Sequence, residues 1–227
     1  MALWHAKGKP PERALPRSVG STMDPKAHWD SVYRTNDPTS VSWFQAEPTL
    51  SLDLITTVAP DLDAPIIDIG GGASTLVDGL LRAGYRDLTV LDLARPALAI
   101  ARQRVGADAR RVRWLEANAL TAALPAGHYG VWHDRAVFHF LTDPRDRERY
   151  VAQARRAIQP GGYIIVASFA TNGPARCSGL DVVRYSPEAM HAEFGAGFTL
   201  ASSTPEEHHT PGGSVQQFVY CLCRVEP

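Results

Sequence analysis

The chain has 227 residues, 44% of them hydrophobic and 21% charged, with a formal net charge of −1, enough for one α/β domain with a full core. The balanced charge offers no basic field for nucleic acid, no run approaches the roughly 18 apolar residues of a membrane span, and the opening MALWHAKGKP lacks a signal peptide's apolar core. Cys177, Cys221 and Cys223 make no disulfide framework and fit a reducing compartment, so a cytoplasmic location is expected.

Residues 1–22 carry Pro10, Pro11 and Pro16 among scattered Lys and Arg without any period, which predicts a disordered lead-in. Asp24-Pro25 then opens a helix as N-cap and N1, so Met23 is a candidate second start. Residues 23–227 are expected to form one domain, with a helical segment at 23–60 and the core at 61–227. Helices are predicted at about 25–33 and 48–58, the second opened by Pro48. A strand at about 65–69, a helix at about 74–83, a strand at about 87–92 and a helix at about 95–105 follow. Strands are predicted at about 111–116 and 129–134, then a helix at about 143–158 capped by Asp143 and Pro144. The apolar run YIIVASF at 163–169 reads as a buried strand, and Ser186-Pro187 opens a helix at about 186–194. Strands at about 197–204 and 215–224 close the chain, joined by a loop with Pro211-Gly212-Gly213. Strands alternating with helices predict a doubly wound, mostly parallel α/β sheet with helices on both faces. The last two strands have no helix between them and should pair antiparallel, as a C-terminal β-hairpin that makes the sheet seven-stranded.

Two strand ends carry the chemistry. IIDIGGGAS at 66–74 is a β-branched strand running through Asp68 into Gly70, Gly71 and Gly72, and Asp92 ends the next strand 20 residues past Gly72. Glycines let backbone approach a ligand, and a strand-end carboxylate accepts hydrogen bonds from ribose hydroxyls, so the pair predicts an adenosine-type cofactor. A nicotinamide dinucleotide fits poorly, because the third glycine of its fingerprint falls on Thr75. Asp68 also stands where an anionic pyrophosphate gains nothing and a cationic ligand gains. S-adenosylmethionine, with a sulfonium and an amino group, suits that arrangement.

Residues 66–169 resemble a class I S-adenosylmethionine-dependent methyltransferase through IDIGGGAS, VLDLA, LEANAL, YGVWHDRAVFHFL and IQPGGYIIVASF. Ser74 departs from the glycine many members carry there, and it can cap the following helix. The resemblance implies S-adenosyl-L-methionine as cofactor and S-adenosyl-L-homocysteine as product. It implies that Gly70, Gly71, Gly72 and Ser74 form the turn and that Asp68 serves the amino group. It further implies that Asp92 binds the ribose, that Leu93 packs on the adenine, and that Asn118 and Ala119 meet the adenine edge. The stretch HWDSVYRTNDPTSVSWF resembles the N-terminal part of a group that includes elongation-factor lysine methyltransferases, where such aromatics fold over the cofactor. Trp29, Tyr33 and Trp43 are therefore expected at the cofactor, with Phe44 facing the substrate, and residues 23–60 as a lid. A stripe that merely packs on the sheet is the plainer account of each aromatic alone.

On the acceptor side, His133, Asp134 and Arg135 at the end of the fourth strand are the candidate catalytic groups, His133 also touching the cofactor. His133 or Asp134 would orient the acceptor or take its proton, and Arg135 would hold a substrate carboxylate; a structural Asp134–Arg135 pair is the alternative. Phe138 and His139 follow as candidate substrate contacts, although a lone histidine such as His139 more often packs. His208 and His209 would reach the substrate from the 206–217 loop if that loop rises at the sheet's carboxyl edge. Neighbouring histidines diverge and no third ligand is evident, so no metal site is expected. The reading is methyl transfer to a small-molecule nucleophile at N, O or S by a monomer or homodimer, without nucleic acid or membrane partners. Its rivals are a protein-lysine methyltransferase, a thiol or metalloid (arsenite-type) methyltransferase using the three cysteines, and a non-catalytic cofactor-binding protein.

Overall fold

A computed structural model of the chain describes residues 24–226, so the expectations for residues 1–22 and for Met23 lie outside the described residues. The helices are α1 (Pro25–Thr35), α2 (Thr49–Val58), α3 (Leu76–Ala83), α4 (Arg95–Val105), α5 (Pro144–Ala157) and α6 (Pro187–Phe194). The strands are β1 (Ile66–Ile69), β2 (Leu88–Asp92), β3 (Val112–Glu116), β4 (Tyr129–Arg135), β5 (Ile158–Phe169), β6 (Arg176–Cys177), β7 (Leu180–Asp181), β8 (Phe198–His209) and β9 (Val215–Val225). The caps fall where the side chains dictate: Asp24, Asp143 and Ser186 each accept a first-turn N–H and precede a proline.

The main sheet has seven strands in the order β3-β2-β1-β4-β5-β9-β8, and β6 and β7 form a separate small hairpin. The first five pair in parallel, and β9 runs antiparallel between β5 and β8. Strand order reverses beside β1, so the carboxyl ends of β1 and β4 diverge into a crevice. Apolar side chains of both faces are buried under helices. Ile67, Ile69, Trp132 and Tyr150 belong to one core layer, and Ile66, Val131, Leu80 and Phe169 to the other.

Three details differ from the sequence expectation. Strand β8 continues to His209, so His208 and His209 are strand residues and only a tight turn at 210–214 joins β8 to β9. The 176–181 hairpin was not anticipated, being too short to show a period. The three thiols never meet, because Cys177 packs in one core layer and Cys221 and Cys223 in the other, on opposite faces of the sheet. No described group of three or more metal-ligating side chains is present, and the three-thiol reading lapses with that geometry. Among the described residues no helix is long and apolar enough to cross a membrane.

Candidate active site

Gly70 leaves β1 with φ +66°, a conformation that favours glycine, and its N–H donates to the Leu91 carbonyl at 2.7 Å. Side chains at Gly70, Gly71 and Gly72 would collide with Val137, Asp68 and Asp92 respectively, so the turn is a cradle that only bare backbone fills. Ser74 Oγ accepts from the Leu76 N–H at 3.1 Å, supporting the start of α3. Arg104, a residue sequence inspection passed over, clamps the turn from α4. It donates to the carbonyls of Ala73 (2.8 Å) and Ser74 (2.5 Å) and holds the Asp78 carboxylate.

Asp92 is buried and accepts from the Ala94 N–H at 2.7 Å. Burial, reinforced by the nearby Asp68, pushes its carboxyl up to about 7. Asp68 has one oxygen on His133, Oδ1 to Nδ1 at 2.7 Å, while its buried Oδ2 has no protein partner. An orphaned carboxylate oxygen beneath a glycine cradle fits a ligand that brings a cationic donor.

Two cavities meet at Gly70. A small recess is lined by Asp68, Gly71, Ser74, Tyr33, Phe44 and His133. A larger one, about 520 Å³, runs past Asp92, Leu93, Asn118 and Ala119 to Trp29, Tyr33, Trp43 and Phe140, with Cys177 and Leu180 of the small hairpin on its wall. That volume falls in the range of sites for small ligands. The aromatics form a connected set: Trp29 lies 5.7 Å from Trp43 and 5.1 Å from Phe140, and Trp43 Nε1 donates to Tyr33 Oη at 3.3 Å. Lys26 ties α1 to the crevice rim through Glu116 (2.8 Å) and the Leu93 carbonyl (3.3 Å).

The fourth strand's end is arranged differently from expectation. His133 faces the recess beside Asp68, with Nε2 on Ser51 Oγ at 2.9 Å, and does not line the larger cavity. Asp134 lines neither cavity, because alternate strand residues point to opposite faces. Its carboxylate accepts from Tyr150 Oη (2.5 Å) and from the N–H groups of Val137 (2.9 Å) and Phe138 (3.3 Å), and burial pushes it up to about 6. Arg135 does line both cavities, yet three of its five N–H groups go to Tyr220 Oη, the Trp43 carbonyl and Glu206, and its charge is already paired with the Glu206 carboxylate. The alternative, a structural Asp134–Arg135 pair, does not form either.

Phe138 is a core residue packed on Tyr150, Tyr185 and Phe194. His139 is fully buried between Phe140 and Phe169, where burial lowers it to about 3. His208 Nε2 donates to the Ser42 carbonyl (2.8 Å), and His209 pairs with Glu207 at the surface. Both line an outer recess beyond Phe44, away from the glycine turn. Of the expected substrate contacts, only Phe44 stands beside the turn. Phe140, Cys177 and Leu180 were missed, since nothing in one sequence says which apolar residue faces a cavity.

Residues 66–162 match the family model described as "Methyltransferase domain". The chain is 32% identical over 121 residues to the ubiquinone/menaquinone biosynthesis C-methyltransferase UbiE of Methylobacterium nodulans, covering 51% of this chain and 47% of that protein. It thus spans about half the length of that relative. It is 22% identical over 221 residues to EEF1A lysine methyltransferase 2 of Homo sapiens, covering 91% of this chain and 86% of that one. Among solved structures, it superposes on the Burkholderia thailandensis 1,6-didemethyltoxoflavin-N1-methyltransferase with a TM-score of 0.66 at 17% identity, covering 89% of this chain and 87% of that one. That structure holds 1,6-didemethyltoxoflavin and S-adenosylhomocysteine.

Residues 66–162 thus carry a methyltransferase domain, set in a seven-stranded sheet similar to that of class I S-adenosylmethionine-dependent methyltransferases. The cofactor is S-adenosyl-L-methionine.

Proposed function

We propose that the chain transfers a methyl group from S-adenosyl-L-methionine to a small-molecule nucleophile. The observation that carries this is the single cavity of about 520 Å³ joining the Asp92 crevice to the aromatic wall of Trp29, Tyr33, Trp43 and Phe140. When bound, the cofactor supplies an already activated methyl group. The protein's task is then to place an acceptor against it and exclude water, which can contribute roughly 7–11 kcal/mol.

In this reading the backbone of Gly70, Gly71 and Gly72 meets the methionyl portion and the free oxygen of Asp68 receives its amino group. Asp92 accepts from the ribose hydroxyls, Leu93 packs on the adenine, and Asn118 and Ala119 meet its edge. Trp29, Tyr33 and Trp43 close over the reacting centre, and Arg135 holds Trp43 and Glu206 in place. Calorimetry should show binding of S-adenosylmethionine and S-adenosylhomocysteine but not NAD. Labelled-methyl transfer to a metabolite panel should find an acceptor; binding without any transfer would leave a cofactor-binding protein instead.

A second reading, methylation of a protein lysine, draws on the similarity to EEF1A lysine methyltransferase 2, which extends over 221 residues. It requires the label to appear on a protein of a cell lysate.

A further inference from the structure

Three independent features of the larger cavity bear on the acceptor. Its rings stand across one another: Trp29 at 83° to Trp43 and 74° to Phe140, and Tyr33 at 77° to Trp43, all partly exposed. Of its charged lining, Asp146 pairs with Arg149, Asp181 with Arg176 and Arg135 with Glu206, which leaves Asp92 as the acid without an ion-pair partner among the described residues. Finally, no histidine lines it among the described residues. The protic groups beside the rings keep their protons, since burial pushes Cys177 up to about 12 and drives Tyr33 above its ordinary range.

Resting on the methyl-transfer reading above, we propose that the acceptor is a small amine, held among these four rings and methylated at nitrogen without a base from the protein. The nitrogen lone pair forms the new N–C bond as the S–C bond breaks, and that bond's electron pair stays on sulfur as a neutral thioether. Positive charge moves from sulfur to nitrogen, so one set of aromatic faces attracts it before and after transfer. A proton on a primary or secondary amine leaves afterwards to water. An alcohol acceptor would instead need its proton removed during the reaction; no histidine lines the cavity among the described residues, and in the reading above Asp92 is taken up by the ribose. An anionic acceptor would need a free cation, and the charge of Arg135 is already balanced by Glu206.

The test begins with protein saturated with S-adenosylhomocysteine, titrated calorimetrically with choline, with its uncharged isostere 3,3-dimethylbutan-1-ol, and with acetate. Choline should bind about tenfold tighter than the isostere, and acetate not at all. Equal affinities, or preference for the anion, would overturn the proposal without any mutation. Trp29→Leu and Phe140→Leu should each weaken choline by about fivefold while Trp29→Phe stays near wild type, and loss of choline binding by none of them would equally defeat it. In turnover, the label should sit on nitrogen of a small molecule, and the acid limb of the pH–rate profile should follow each acceptor's own pKa. Label on oxygen, sulfur, carbon or a protein would refute it. Failure to bind S-adenosylhomocysteine in the absence of choline would instead count against the cofactor reading, and is seen separately.

Discussion

Asp68 and His133 are register partners on adjacent parallel strands and share a buried contact, Oδ1 to Nδ1 at 2.7 Å. The contact continues through His133 Nε2 to Ser51 and from Ser51 to Tyr220 (3.2 Å), which in turn receives Arg135. His133 therefore orients the carboxylate so that one oxygen is held and the other is left for a ligand. His133→Ala should destabilise the fold by about 1–3 kcal/mol, the penalty for unpairing buried polar groups, and weaken S-adenosylmethionine binding by about tenfold. Chemical denaturation and calorimetry on the same variant measure the two effects; unchanged affinity would reduce the pair to packing.

In the proposed reading Asp92 should make cofactor binding depend on pH. Its carboxyl is raised to about 7 by burial first and by Asp68 second, whereas the ribose hydroxyls of that reading donate to its ionised form. Affinity for S-adenosylhomocysteine should therefore be highest above pH 7 and fall by about tenfold per unit below it, with a proton released on binding. The sign for stability is opposite. A carboxyl whose folded pKa exceeds its unfolded one stabilises fully below the unfolded value, and that contribution fades as pH rises through about 7. Asp92→Asn should accordingly raise the melting temperature of the cofactor-free protein above pH 7 while lowering affinity by about tenfold or more. Titrations in two buffers of different ionisation heat report the proton.

Arg104 holds the glycine turn from outside the cofactor crevice through Ala73, Ser74 and Asp78. It is partly exposed, so screening discounts its ion pair, and Arg104→Ala should reduce stability by only about 1 kcal/mol. The effect on cofactor affinity should be larger in proportion, about threefold to tenfold, because the freed carbonyls loosen the cradle. Comparison with Asp78→Ala, which spares the carbonyl contacts, separates the two.

Asp134 is fully occupied by Tyr150 and two backbone N–H groups. Asp134→Asn must turn an NH₂ toward one of these partners, and should lower stability by about 1–3 kcal/mol. Activity per folded molecule should remain within about threefold of wild type, since no reacting atom meets this side chain. A loss of several hundredfold in kcat at unchanged stability would restore the catalytic role suggested by its position in the motif.

The candidate site was legible at the backbone level. Strand-end carboxylates, the three glycines and the caps at Asp24, Asp143 and Ser186 all act within a few residues of themselves, so their local spacing announces them. Pairings across the fold were not legible in the same way. Ser51, Tyr220, Glu206 and Arg104 reach the site from α2, β9, β8 and α4, and nothing near each of them in the chain marks that destination. Period 2 in a strand places His133 and Asp134 on opposite faces, but which of those faces opens to the ligand depends on the helices that cover the sheet.

The amino-acid order by itself determined the alternating α/β pattern, the glycine turn and the two strand-end acids beside it, because these are properties of short segments. Only the tertiary structure decided that Asp134 and Phe138 are core, that Arg135 is spent on Glu206 and Trp43, and that His208 and His209 face an outer recess. It also decided that four rings from α1, its following loop and the turn after β4 share one cavity. Each of those outcomes rests on contacts between residues far apart in the chain, where packing and desolvation, rather than local spacing, assign a side chain its partner.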